Sequence, residues 1–388
     1  MRTLTASFLS LLLVAATTRP AITTIALPGH PFGIAASRDG NWLFVAVMAG
    51  RNALTGVAVL GRVGGEYKLK RVIPLSGDAT GVALTHDGKT LIVAGGDSAA
   101  VLDTSRMISG SGDPFLGAFN DGPRAGSIYA NVTADDNLLF VSDEGTATIT
   151  VIDLAAARSH GYDARAIIGK IPVGIAPIAL TFSPDDRWLY TTSEGASPDW
   201  GWPSTEKPEG PNPDRLGGRE PAGAVVVIDV AKAKTDPAHC VVARVPGGLS
   251  PVRMVISPDG RFIFVTARGS NAVLMFDAAK LIADPDHARM ATVAVGASPV
   301  PLALVQDGKF LVVGNSNRFG PDADKPQTLS VLDVARIGHG DAVIGTIPAG
   351  AFPREMCVSA DGRTLYVSNF GSSSLEIIDA NDLPLESR

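Results

Sequence analysis

One dipeptide, recurring at a nearly constant step, constrains this chain more than any other feature. An apolar run, an Asp-Gly or Asp-Asp pair and a second apolar run recur seven times, at Asp39-Gly40, Asp87-Gly88, Asp135-Asp136, Asp185-Asp186, Asp259-Gly260, Asp307-Gly308 and Asp361-Gly362. Successive pairs lie 48, 48, 50, 74, 48 and 54 residues apart. A fixed period of this length marks a stacked or radial repeat, not a series of unrelated domains. Asp-Gly supplies the positive φ angles a tight hairpin needs, so these acids read as turn formers. The third apolar run of most units also ends in Asp (Asp103, Asp153, Asp229, Asp277, Asp333 and Asp379), and those acids are assigned to turns as well.

Each unit reads as four strands. In the fifth they are MVIS before the turn, FIFVTA after it, AVLMFD, and MATVAV. Alternation is weak and β-branched residues are frequent, as expected of strands buried on both faces between stacked sheets. Seven such units predict an all-β chain, a seven-bladed β-propeller of four-stranded antiparallel blades. No fourth strand follows Asp379, whereas Ile22 to Leu27 (ITTIAL) precedes the first unit, in the place VIGTIP at 343–348 holds before the seventh. The N-terminal strand is therefore expected to pair with the last blade and close the ring, removing an open edge. Residues 22–388 then form one propeller domain, with a long loop insertion at 194–222 in blade 4 and a smaller one at 316–327 in blade 6.

The strings ADGRTLYVSNFGSSSLEIID at 360–379, SPDGRFIFVTARGSNAVLMFD at 257–277 and SPDDRWLYTTSEG at 183–195 resemble the YVTN-type repeat of YncE-like and lactonase-like seven-bladed propellers. The similarity runs through all seven units. Repeat one departs from it by ending its third strand in Gly61, and repeat two by carrying Ala79 in place of proline. No Trp is followed by Asp, so the WD40 signature is absent. The repeat specifies a fold and says little about chemistry.

Arg2 followed by Phe8–Ala16 (FLSLLLVAA) has the charged and apolar regions of a secretory signal peptide, residues 1–21, cut between Ala16 and Ala21. Its apolar stretch falls well short of the roughly 20 residues needed to span a bilayer. The chain is expected to be exported, to the periplasm or beyond, with no membrane span. A formal charge of −6 without a long basic run argues against extensive nucleic-acid binding. Cys240 and Cys357 belong to no CxxC or CxxCH motif, which excludes a c-type haem and a thiolate zinc site; both read as free, buried thiols. His160, His239, His287 and His339 fall on four different blades, too far apart to share one metal ion, so neither metal nor cofactor is expected.

In an up-and-down blade, the entry to the first strand and the loop joining the second and third strands share one face. Both insertions fall there, the longer bearing Trp200 and Trp202. First-strand entrances are mostly small or apolar, but Arg253 in blade 5 and Arg354-Glu355 in blade 7 break the rule. The ends of the second strands add Glu144, Glu194, Arg268, Asn315 and Asn369, and His30 is the histidine at this mouth. Two readings of these charges stay open. They form a mixed pocket for a small anionic or cyclic ligand, or a protein partner, at the loop-rich face, capped by the Trp-bearing insertion; or they pair with one another and stitch neighbouring blades.

No GxSxG, HExxH or P-loop is present, and no catalytic motif is recognisable. The resemblance implies a binding or interaction scaffold. Its alternatives are a lactonase-like hydrolase or isomerase acting on a cyclic ester, and an accessory subunit of a periplasmic redox complex. In the lactonase-like case, Arg354 or Arg253 holds an oxygen of the substrate while His30 or Glu355, the two catalytic candidates, moves the proton.

Overall fold

Six of the seven hairpins are built by the same hydroxyl–carboxylate pair. In the computed structural model, which describes residues 20–49, 54–206, 219–320 and 322–383, Ser37 Oγ donates to Asp39 Oδ1 and accepts the Trp42 N–H, and Asp39 Oδ1 takes the Asn41 N–H. Thr85–Asp87, Thr133–Asp135, Ser183–Asp185, Ser257–Asp259 and Ser359–Asp361 repeat the arrangement. The donated hydroxyl is what chiefly holds Asp39, Asp135, Asp185, Asp259 and Asp361 below the usual carboxylate range. The next residue is left-handed, which glycine tolerates freely; Asp136 and Asp186 accept it at φ 55°. Those two aspartates then reach the preceding blade. Asp136 accepts from His86 N–H, His86 Nδ1 and Asp87 N–H, and Asp186 from Ala134 N–H.

The aspartates that end the third strands are helix caps. Asp103, Asp153, Asp229, Asp333 and Asp379 each accept a backbone N–H of a short helical turn that leads towards the fourth strand or, after Asp379, ends the described chain. The sequence indicates only a connection at these points.

The strands assemble into seven antiparallel sheets. Blade 5 is typical, with strands at Pro251–Ile256, Phe262–Ala267, Ala272–Asp277 and Arg289–Ala294. Blade 4 has its first strand interrupted, at Ile175–Pro177 and Thr181–Phe182, and carries an extra two-residue strand, Thr205–Glu206, on the inner part of the insertion. Ile22–Ala26 pairs with Ser374–Asp379, from Ile22 opposite Ile378 to Ala26 opposite Ser374, so the N-terminal strand is the fourth strand of blade 7. The ring closes as the sequence predicts.

Seven apolar clusters hold the ring, one at each junction between neighbouring blades. Middle strands such as Leu43–Val47 lose essentially all solvent contact, and each such Val, Leu or Phe contributes roughly 1.5–3 kcal/mol. Near the axis, hydroxyls in the last part of the second strand bind the next blade: Ser142 donates to Ile178 O, Thr192 to Val252 O, Thr266 to Val300 O and Ser368 to Phe32 O. In blade 6 that position is Gly314, and Ser316 donates to Pro353 O instead.

The outer strands carry a second regularity. In blades 1 to 6 the fourth strand skips one residue in its pairing, at mid-strand in blade 1 (Lys70) and at its second residue in the others (Leu116, Ile168, Val242, Met290 and Ile344). Such bulges twist an exposed edge away from further pairing. The closing strand, Ile22–Ala26, pairs without one.

The signal-peptide reading concerns residues almost wholly outside those described. Among the described residues, no helix is long and apolar enough to cross a membrane.

Candidate functional site

The first strands of blades 5 and 7 bring charge to the axis of an otherwise apolar ring. Ile178, Val252 and Val300 pack together where the strands of blades 4 to 6 enter. Beside Val252, the Arg253 side chain crosses the channel to blade 7, placing Nη2 2.7 Å from Glu355 Oε2. Both side chains are more than nine-tenths buried, and the guanidinium lies 4.4 Å from the centre of the Tyr129 ring of blade 3. Three blades thus meet through one cation. The alignment is that of a close ion pair, and Arg253 Nε and Nη1 have no acceptor among the described residues.

Arg354 is also buried, 5% exposed, with its guanidinium 4.0 Å from the centre of the Phe32 ring and 6.0 Å from that of Phe352. Among the described residues it forms no ion pair. Burial, with Arg253 and Arg318 close by, draws its pKa down to about 9, so it remains cationic at neutral pH. Exposed Arg318, from the blade 6 insertion, lies over Phe319 and Phe352. Aromatic rings cover the faces of these guanidiniums, while their N–H edges are the groups that bind oxyanions in their own plane.

The half-buried carboxylates of the mouth face these cations. Glu194 takes a bidentate pair from Arg268, at 2.9 Å for each contact, bridging blades 4 and 5. Glu144 has its pKa raised by burial and by Glu194, against the opposing pull of Arg354, Arg253 and Arg318. Among the described residues of this group, Arg253, Arg268, Arg318 and Arg354 therefore stand against three carboxylates, Glu144, Glu194 and Glu355.

The remaining candidates separate from this group. Asn315 is turned into blade 6, accepting from Gly296 N–H and donating to Thr328 and Ser330. Asn369 is wholly buried at the matching place in blade 7. His30 places Nδ1 2.8 Å from Phe370 O and stacks on the Phe370 ring. Trp200 and Trp202 meet edge to face, pack on the apolar cluster between blades 3 and 4, and bring Trp200 beneath the Arg244 guanidinium of an outer strand. The centre of their insertion, residues 207–218, lies outside the described residues. Cys240 is buried and Cys357 half-buried, both free. Among the described residues no group of three or more His, Cys, Asp and Glu could hold a metal ion.

Sequence reasoning overlooked Arg318 and Tyr129. Arg318 sits in an insertion with no repeat register, whereas Tyr129 stands six residues before its turn aspartate, as Arg253 and Glu355 do, so the register itself could have found it.

The family model described as lactonase, 7-bladed beta-propeller, matches residues 224–383. A seven-bladed beta-propeller protein of Mycobacterium tuberculosis is 25% identical over 321 residues, covering 80% of this chain and 62% of its own length. The chain thus spans less than two thirds of that relative. Among solved structures, a chain of Kuenenia stuttgartiensis hydrazine synthase aligns with a TM-score of 0.65 at 18% identity, over 91% of this chain and 96% of that one. A chain of the mitotic checkpoint complex aligns with a TM-score of 0.67 at 15% identity, over 97% and 99%. At such identities the likeness to both is one of fold.

Proposed function

For this lactonase-like seven-bladed β-propeller, we propose a binding function: the loop-rich mouth holds a small ligand through an anionic group. The observation that supports this reading is the surplus of buried cation, with Arg354 unpaired and Arg253 Nε and Nη1 without acceptors among the described residues. Buried donors are almost always satisfied, and a carboxylate or phosphate would satisfy these. Stitching is the other half of the same design, because Arg253–Glu355 and Arg268–Glu194 hold the rim on which Arg354 is presented. Calorimetric titration with a panel of small carboxylates and phosphate esters tests the proposal. Wild-type protein should bind at least one of them, and Arg354→Gln should weaken it about tenfold or more, the loss of one charge-assisted contact. Absence of binding across the panel, or equal binding by the variant, contradicts it.

A second reading, hydrolysis or isomerisation of a cyclic ester, is favoured by the family match, whose residues include Arg253, Arg354 and Glu355. Arg354 would steady the carbonyl oxygen, and Glu355 or His30 would move the proton. Acid release from a panel of sugar lactones, followed at constant pH, separates it from simple binding. An accessory role in a redox complex has only a shared fold behind it and is carried no further. Export belongs to the same proposal, and N-terminal sequencing of the mature protein should find a start between Ala16 and Ala21.

A further inference from the structure

Beneath the mouth loops, where blade 2 hands over to blade 3, two buried carboxyls share one hydroxyl. Ser127 Oγ lies 2.7 Å from Asp121 Oδ2 and 3.1 Å from Asp143 Oδ1, yet a serine has a single hydrogen to give. Asp143 is otherwise well served: its Oδ2 accepts from Thr150 Oγ1 at 2.6 Å and from Lys170 Nζ at 3.1 Å. Asp121 is not. Its Oδ1 is buried without a partner among the described residues, and the residue is 3% exposed. With both groups ionised, a buried anion would be left sharing one hydrogen with a second anion. With a proton on Asp121 the hydrogens run in one direction: Asp121 Oδ2 donates to Ser127 Oγ, Ser127 gives its own hydrogen to Asp143, and the partnerless Oδ1 belongs to a neutral group instead of an anion.

We propose that this carboxyl pair keeps one proton, resident on Asp121, until the pH approaches neutrality, and that losing it loosens the junction between blades 2 and 3. The charged groups facing Asp121 are Asp143 and Lys170 of blade 3 and Asp97 of the blade 2 loop. Burial and the Asp143 charge raise its pKa to about 7, with Lys170 opposing and Asp97 adding a little. A carboxyl whose folded pKa lies above its unfolded value of about 3.9 binds its proton more tightly in the native chain. Native stability then declines as pH rises from about 4 to about 7, and the loss is complete above that. The effect reaches the mouth, because Glu144 N–H donates to Gly126 O on the same strap as Ser127.

Thermal unfolding of the full chain and of Asp121→Asn, across about pH 5 to 9, tests this. The amide mimics the protonated acid and keeps a donor for Ser127. The variant should melt about 2 °C or more above wild type at about pH 8.5, and that advantage should shrink by more than half by about pH 5. A constant offset between the two proteins at all pH values would overturn the proposal. Should the variant fail to fold, wild type alone decides. Amide exchange in residues 119–129, corrected for the intrinsic effect of pH, should accelerate between about pH 6 and 8.5, and a flat corrected profile overturns the proposal equally.

Discussion

Arg253 of blade 5 and Glu355 of blade 7 face each other across the central channel, Nη2 to Oε2 at 2.7 Å, with both side chains out of water. Two non-neighbouring blades are thereby joined through the axis, where backbone pairing cannot reach. Removing one partner from a buried pair strands the other charge, so Glu355→Ala should cost about 3–5 kcal/mol. The double variant Arg253→Met/Glu355→Leu should recover most of that loss, because apolar groups of similar volume need no partner. Urea unfolding of the two proteins measures the difference, and a double variant no better than the single one would refute the account.

The hydroxyl staples near the axis act between adjacent blades. Thr266→Val keeps the shape and removes the donor to Val300 O. It leaves a buried carbonyl short of a partner, which should lower stability by about 1–3 kcal/mol. A denaturation midpoint unchanged by the substitution would show the staple to be idle.

The Asp-Asp turns separate backbone preference from inter-blade bonding. Glycine at 136 or 186 relieves the left-handed φ but removes a carboxylate that grips the previous blade. Asp136 accepts three hydrogen bonds from His86 and Asp87, whereas Asp186 accepts one from Ala134. Asp136→Gly should therefore destabilise by about 1–3 kcal/mol, and Asp186→Gly by clearly less. Equal effects in thermal melts would contradict this assignment.

Acid should unfold the protein through the hairpin turns. Their carboxylates are held below the usual range, so the stability they provide is present above the unfolded pKa of about 3.9 and lost as pH falls through the folded values. Ser257→Ala removes the hydroxyl that lowers Asp259. Below about pH 4 this variant should lose stability less steeply than wild type, as urea midpoints over a pH series would reveal.

Ring closure rests on five residues. Deleting residues 20–26 exposes the Ser374–Asp379 edge along its whole length. It should remove a large part of the roughly 5–15 kcal/mol typical of a folded domain. Circular dichroism melts and sedimentation would report lower stability together with self-association through the freed edge; a monomer of unchanged melting temperature would show closure to be dispensable.

Seven Asp-Gly or Asp-Asp turns at a step near 48 residues fix the blade count, and the leftover ITTIAL strand fixes the closure, because both are local patterns repeated along the chain. The exceptional charges Arg253, Arg354 and Glu355 stood out against small or apolar residues at the same register, so the heart of the candidate site was legible too. Their pairing was not. Which arginine meets which glutamate depends on reach across a closed ring: Arg253 takes Glu355, Arg268 takes Glu194, and Arg354 is left against Phe32. Asn315 and Asn369, at second-strand ends, and His30, ahead of a first strand, fall at the same mouth as those charges, yet Asn315 is bonded into blade 6, Asn369 is wholly buried and a backbone carbonyl holds His30. Periodicity determines the fold because each blade repeats the same local physics, while the site is set by distances between residues 74 or more positions apart, which only the assembled ring defines.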